Sequence, residues 1–261
     1  MQDLKIALTQ FDIVWQNPEA NRKLLEAIIT SINSNVDLII LPEMFTTGFT
    51  MDTVEHAEPL EGDTIMWMRK MAKSANAVIT GSIIIIEGEH YYNRLLWVTP
   101  KGESSYYDKR HLFRMADEHA HFSAGKNQPV FELKGWRIKP QICYDLRFPV
   151  WSRNTQLEYD LIFYVANWPK ARINAWDTLL KARAIENLSY SIGVNRVGID
   201  GAGKTYNGHT ACYNYKGDLL GNMVKNEVIV YINLLKEDLD NYRKSFPAHL
   251  DSDTFIIDNI S

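Results

Sequence analysis

Glu43, Lys109, Glu118 and Cys143 are the residues whose types and settings suit hydrolytic chemistry. Cys143 ends the run Trp136 to Ile142 and precedes Tyr144-Asp-Leu-Arg-Phe-Pro149, so a buried strand delivers it to the mouth of a turn. A strand end fixes a nucleophile's Cβ, and backbone N–H groups just beyond it can face an oxyanion. Glu43 follows Asp37-Leu-Ile-Ile-Leu41 and Pro42, the end of another apolar run, where a carboxylate facing a cleft serves as general base. Lys109 closes a run from Ser104 among Tyr106, Tyr107, Leu112 and Phe113; an ammonium in such company calls for a carboxylate partner. Glu118 lies in Ala116-Asp-Glu-His-Ala-His-Phe-Ser-Ala-Gly125. Taken singly, each also suits a plainer role: core thiol, capping carboxylate, snorkelling lysine or solvated charge.

Other signals compete. His119 and His121 stand at a spacing metal sites use, but the remaining histidines are scattered and supply no third ligand, so no metal and no cofactor are expected. Gly198-Ile-Asp-Gly-Ala-Gly-Lys-Thr205 matches the phosphate-binding loop pattern in full, which makes a nucleotide-binding protein using Lys204 the runner-up. Such a loop needs a helix after it to supply a dipole and a row of N–H donors. Tyr206-Asn-Gly-His-Thr-Ala-Cys-Tyr instead reads as a turn and an alternating strand, so a Gly-rich rim of an active site fits better. No Gly-x-Ser-x-Gly elbow occurs.

The elements that must position these residues alternate. Strands are expected at Leu4–Ile13, Asp37–Leu41, Ala77–Glu87, Tyr91–Thr99, Ser104–Lys109, Val130–Leu133, Trp136–Cys143, Asp160–Asn167, Ser191–Val197, Asn207–Asn214, Asp218–Gly221 and Val228–Leu234. Helices are expected from Asn17-Pro18 to about Ser34, at Glu61–Ser74, from Pro149, at Ala175–Asn187 and at Leu235–Ser245. Residues 110–129 show no clean period and read as a long functional loop. Hairpins interleaved with helical crossovers argue for an α/β fold with mixed sheets and helices outside. No linker or repeat divides residues 1–261, so a single domain is expected. The tail 247–261 carries Phe255, Ile256 and Ile257 and needs a surface to pack on, a neighbouring subunit for instance.

The net charge of −4 and the lack of a basic run argue against a nucleic-acid partner. No apolar run is long enough to span a bilayer, and the first residues lack the parts of an export signal. Cys143 and Cys212 are then expected as free thiols in the cytoplasm.

Three segments taken together resemble the nitrilase (carbon–nitrogen hydrolase) superfamily: Leu41-Pro-Glu-Met-Phe-Thr-Thr-Gly-Phe49, Tyr107-Asp-Lys-Arg-His-Leu-Phe113 and Ile142-Cys-Tyr-Asp-Leu-Arg-Phe-Pro149, in that order. Lys181-Ala-Arg-Ala-Ile-Glu-Asn187 resembles the segment that follows the nucleophile. The resemblance implies a four-layer α-β-β-α sandwich, commonly a homodimer. It implies Cys143 as nucleophile, Glu43 as base, Glu118 as a second carboxylate, and Lys109 with the Tyr144 N–H as oxyanion stabilisers. Cys-Tyr-Asp-Leu-Arg-Phe-Pro, Asn167-Trp168-Pro169 and Phe113-Arg-Met-Ala-Asp-Glu-His119 are most similar to the ω-amidase branch, which implies a small-molecule substrate, a short dicarboxylic monoamide of the 2-oxoglutaramate or succinamate type. The substrate's carboxylate then needs a cation. Arg147 is the first candidate, with a salt bridge to Asp145 or to a helix-end carboxylate its competing role, and Trp168 and Phe49 are expected to wall the pocket. The same residues leave open other acyl groups, a nitrile substrate and transfer to another amine.

Overall fold

Short apolar runs bounded by turns assemble into two six-stranded sheets in a computed structural model that describes residues 2–32, 35–222 and 228–257. In the first half of the chain these are β1 (Leu4–Thr9), β2 (Leu38–Ile40), β3 (Val78–Glu87), β4 (His90–Val98) and β5 (Ser104–Asp108). Helices α1 (Pro18–Thr30), α2 (Thr53–His56) and α3 (Asp63–Ala75) connect them. Asn17 caps α1 by accepting from the Ala20 N–H at 3.0 Å, and Pro18 occupies the first turn, where a missing N–H costs nothing. β1, β2 and β3 run parallel, whereas β3–β4 and β4–β5 are hairpins, the first turning on Gly88 at φ +62°.

The second half supplies α4 (Glu118–His121), β6 (Phe131–Leu133), β7 (Trp136–Ile142), α5 (Pro149–Ser152), β8 (Leu161–Ala166), α6 (Ile173–Glu186) and β9 (Tyr190–Asn195). It continues with β10 (Val197–Ile199), β11 (Thr205–Asn207), β12 (Ala211–Tyr213), β13 (Leu219–Asn222), β14 (Ile229–Leu234) and α7 (Lys236–Ser245). β7, β8 and β9 are parallel and form the centre of the order β13-β12-β9-β8-β7-β6, while β14 crosses back to pair with β1 in the order β14-β1-β2-β3-β4-β5.

Three apolar clusters define four layers. One lies between the sheets and joins Leu4, Ile6, Leu38 and Trp97 to Trp136, Ile138, Phe163 and Ile192. A second seals α1 and α3 onto the outer face of the first sheet through Leu25, Ile29, Met68 and Met71. A third seals α6 onto the second through Trp176, Leu180, Tyr164 and Ile162. The expected α-β-β-α sandwich is the observed architecture, and β2 and β8 are continuously apolar because both of their faces are covered.

Several boundaries differ from expectation. β1 stops at Thr9 rather than Ile13, and the helix from Pro149 is a single short turn. Asn207–Asn214 is two strands rather than one, because Gly208 and His209 adopt φ +74° and +62° and break the ladder. Residues 110–129 contain a 3₁₀ turn at Arg114–Ala116 and then α4. Expectations for Ser34 and for the end of the tail fall outside the described residues. Within the tail, Ile257 packs on the protein's own inter-sheet core, while Leu250 and Ile256 stay exposed.

Candidate active site

The parallel strands β2, β7 and β8 end near one another, with Glu43 and Cys143 just beyond them, and Lys109 and Glu118 join from the end of β5 and the start of α4. Glu43 comes two residues after the Leu41 that closes the β2 run, Lys109 directly after β5, and Cys143 directly after β7; Glu118 opens α4. Cys143 occupies a left-handed conformation, φ +44°, unusual outside glycine and costly for a residue with a Cβ. What holds it there is Asp145, fully buried, whose carboxylate accepts from the Ile142 N–H (3.0 Å), the His111 N–H (2.9 Å) and the Tyr107 hydroxyl (2.7 Å). His111 stacks on Phe148 with ring centroids 3.7 Å apart. From the other side Arg183, in α6, donates to the Leu146 carbonyl at 2.7 Å. The nucleophile turn is thus gripped by β5, β7 and α6 together.

Lys109, Glu43 and Glu118 form one buried cluster. Lys109 Nζ lies 2.9 Å from Glu43 Oε1 and 2.9 and 3.0 Å from the two oxygens of Glu118, and all three side chains are sealed from solvent. Asn93 Nδ2 donates to Glu43 Oε1 at 2.9 Å and reaches Glu118 Oε1 at 3.4 Å. The Phe113 N–H donates to Glu118 Oε2 at 2.5 Å, and the Asn167 N–H donates to Glu43 Oε2 at 2.8 Å.

The two carboxylates differ in the lone pairs they have left. Each Glu118 oxygen already has two donors, so its acceptor capacity is filled. Glu43 Oε2 has one donor and therefore an open lone pair. Desolvation opposes the charge on Lys109, but Glu118 and then Glu43 outweigh it, so the ammonium is held well above the usual lysine range. Burial raises the Glu118 carboxyl, against the pull of Lys109. At Cys143, burial and then the adjoining Glu43 carboxylate push the thiol well above its ordinary value, with Lys109 opposing. The resting sulfur is a neutral thiol beside a base, a setting for proton removal concerted with attack.

The pocket over Cys143 is lined by Phe49, Lys109, Phe113, Tyr144, Asn167 and Trp168, with Arg147, Pro169, Arg172, Lys204 and Tyr206 completing it. Phe49, Tyr144, Arg147 and Trp168 therefore stand with the nucleophile. Arg147 does not pair with Asp145; its guanidinium lies 5.0 Å over the Trp168 ring. Among the described residues, none of Arg147, Arg172 and Lys204 has an acidic ion-pair partner within 4.0 Å, so three free cations line the pocket.

The nucleotide-loop alternative is overturned by topology: Gly198–Thr205 is a β10–β11 hairpin, with Ile199 paired to Thr205 and no helix after it. Asp200 closes its turn by accepting from the Ala202 and Lys204 N–H groups, both at 2.9 Å. Among the described residues no group of three or more His, Cys, Asp or Glu is placed to hold a metal, and His119 and His121 are exposed. Nor is any described helix long and apolar enough to cross a membrane.

Sequence reasoning missed Asn93, Arg172 and the contribution of Lys204. Asn93 left a signal, an asparagine inside the strand pattern of His90–Val98, where that residue is disfavoured unless its amide has work to do. Arg172 left none, since its place on the pocket wall depends on how β8 leads into α6.

Comparison with known proteins places this constellation in context. The family described as Carbon-nitrogen hydrolase matches residues 5–244. An omega-amidase YafV from Yersinia enterocolitica is 46% identical over 98% of this chain and 100% of its own. A 2-oxoglutaramate amidase from Bacillus subtilis is 32% identical over 93% of this chain and 95% of its own. The crystal structure of XC1258 from Xanthomonas campestris, a CN-hydrolase superfamily protein with an arsenic adduct in the active site, superposes with a TM-score of 0.96 at 43% identity, covering 99% of this chain and all of that one.

Proposed function

We propose, from the premise that this chain belongs to the carbon–nitrogen hydrolase family and to its ω-amidase branch, that Cys143, Glu43, Lys109 and Glu118 carry its reaction. The protein is a hydrolase of amide C–N bonds. It cleaves the terminal amide of a short dicarboxylic monoamide to the acid and ammonia through a cysteine thioester.

Glu43 takes the Cys143 proton through its open Oε2 as the sulfur attacks the amide carbonyl. One Lys109 N–H points to Glu43 and a second is forked between the two Glu118 oxygens, which leaves the third, with the Tyr144 N–H, to meet the oxyanion. Collapse of the adduct breaks the C–N bond, and Glu43 returns the proton to the departing nitrogen. Glu43 then deprotonates a water that opens the thioester, and the thiol recovers its proton from Glu43. Glu118, with its lone pairs filled, holds Lys109 in place.

The observation that carries this reading is the sealed Lys109–Glu43–Glu118 cluster beside a thiol, under a pocket with three unpaired cations. Arg147, Arg172 and Lys204 suit the substrate's far carboxylate, and Phe49 and Trp168 its short apolar stem. One domain over residues 1–261, a homodimer and a cytoplasmic setting belong to the same proposal, the last supported by two free thiols.

The test is ammonia release from succinamate and 2-oxoglutaramate against butyramide, which lacks the carboxylate. The anionic amides are expected to exceed butyramide in kcat/KM by roughly 10–100-fold, the worth of one or two charged hydrogen bonds. Arg147→Met is expected to erode that preference through KM. Equal turnover of the charged and neutral amides contradicts the assignment of the cations.

A further inference from the structure

Asn167 follows β8, one residue beyond the Ala166 that ends the strand beside the β7–Cys143 junction. It is only 5% exposed. Its backbone N–H donates to Glu43 Oε2 at 2.8 Å, and its side-chain Nδ2 donates to the Glu43 carbonyl at 2.6 Å. The second bond fixes the orientation of the amide. A backbone carbonyl can only accept, so the group facing it must be the NH₂, and a flipped amide would set two oxygens against each other. Oδ1 is thereby held on the opposite side with no partner among the described residues, although its residue lines the pocket over Cys143. A buried carbonyl oxygen without a donor is costly unless something arrives to satisfy it.

A primary amide brings two N–H groups and needs two acceptors as its nitrogen turns tetrahedral. Glu43 Oε2 offers the single open lone pair of the carboxylates, and that lone pair is engaged in proton transfer. Glu118 is saturated by Lys109, Asn93 and the Phe113 N–H. We propose that Asn167 Oδ1 accepts an N–H of the substrate carboxamide and stabilises the leaving nitrogen as it takes up the proton, making Asn167 a catalytic residue of this amidase. The proposal rests on the amidase reading and adds to it how the departing amine is recognised.

The chemistry favours the transition state over the ground state. In the collapsing adduct the C–N bond lengthens, the C=O re-forms, and Glu43 hands the former thiol proton to nitrogen, which leaves as NH₃. During that transfer the nitrogen gains positive character and its remaining N–H groups become stronger donors. An acceptor fixed at Oδ1 therefore binds most tightly where the barrier lies.

An ester of the same acid offers the leaving oxygen with no N–H at all. The experiment is kcat/KM for succinamate and for monomethyl succinate in the wild type, Asn167→Ala and Asn167→Ser, each checked for folding by thermal melt. The amide-to-ester ratio is expected to fall about 10–100-fold in both variants, as loss of one charge-assisted hydrogen bond requires. Asn167 also supports Glu43, and damage through that route lowers both substrates alike. A ratio unchanged within about threefold, whether both rates fall or neither does, therefore overturns the role while leaving the amidase reading intact. A wild-type enzyme that releases no ammonia from any monoamide overturns that reading and this role with it.

Discussion

Cys143 shows how a residue's conformation and its chemistry are bound together. Its φ of +44° aims the thiol from the end of β7 into the pocket, at a cost that Asp145 and Arg183 absorb by gripping the turn. Removing the Cβ should relieve that cost, so Cys143→Gly is expected to be more stable than Cys143→Ala by about 1 kcal/mol, both inactive, as read from denaturant midpoints. Because burial and Glu43 raise the thiol's pKa, thiolate absorbance near 240 nm (wild type minus Cys143→Ala) is expected to be absent from about pH 7 to 9. A resting thiolate in that window would contradict concerted deprotonation by Glu43. Among the described residues Lys109 is the one cation paired with both buried carboxylates, so Lys109→Met is expected to abolish turnover and to cost about 3–5 kcal/mol at neutral pH. Without the ammonium, burial acts unopposed on the Glu118 carboxyl, which is then expected to hold its proton to higher pH in the folded variant than unfolded. Its deficit should then deepen as pH rises from about 5 to 8, which urea titrations at both ends of that window will reveal.

At the scale of elements, β7 carries an expense unrelated to catalysis. Lys139 is almost fully buried, and desolvation brings its ammonium down to about 8, against weaker support from Glu158 and Asp145. Below that pH both folded and unfolded lysine hold the proton, so the fold bears the whole cost of the buried charge. Between about 8 and 10 the folded lysine releases its proton first and the cost fades. Lys139→Met is therefore expected to stabilise the protein by ~1–3 kcal/mol at pH 7, with the gain shrinking toward pH 10. A gain constant across that range would sink this account of the strand. The packing of α6 on β9 depends on Gly193, where an added Cβ would run into Leu180 and Trp176, so Gly193→Ala is expected to destabilise the fold by about 1–3 kcal/mol, seen as a lowered thermal midpoint. The strands that lead to Glu43 and Cys143 were legible from sequence because β2 is a short apolar run and β7 begins and ends on buried apolar residues, whereas β5 before Lys109 is mostly polar and shows only as a short run after a turn. The split at Gly208–His209 was not, since alternation continues across it and only backbone dihedrals reveal the break. Gly198–Thr205 matches a phosphate-loop pattern only because its glycines serve a hairpin turn, and through Lys204 it forms the Gly-rich rim that its lack of a following helix suggested.

For the whole molecule, the site exists only when the two sheets are docked. Glu43 and Lys109 come from the first sheet and Cys143 and Asn167 from the second, joined across a core with Trp97 on one side and Trp136 and Phe163 on the other. The order of these segments was readable along the chain, but their meeting point depends on β14 returning to β1 and sheet facing sheet, which no local pattern encodes. Activity and tryptophan fluorescence are thus expected to be lost together in urea, with coincident midpoints. The homodimer proposed for the protein predicts twice the chain's mass by light scattering. The most direct measurement of the central claim is intact-mass and peptide analysis of enzyme acid-quenched during turnover of succinamate. The account predicts a succinyl thioester on Cys143, none on Cys212, and neither adduct nor ammonia from Cys143→Ala; ammonia release persisting in that variant, or an acyl group carried elsewhere, would contradict it.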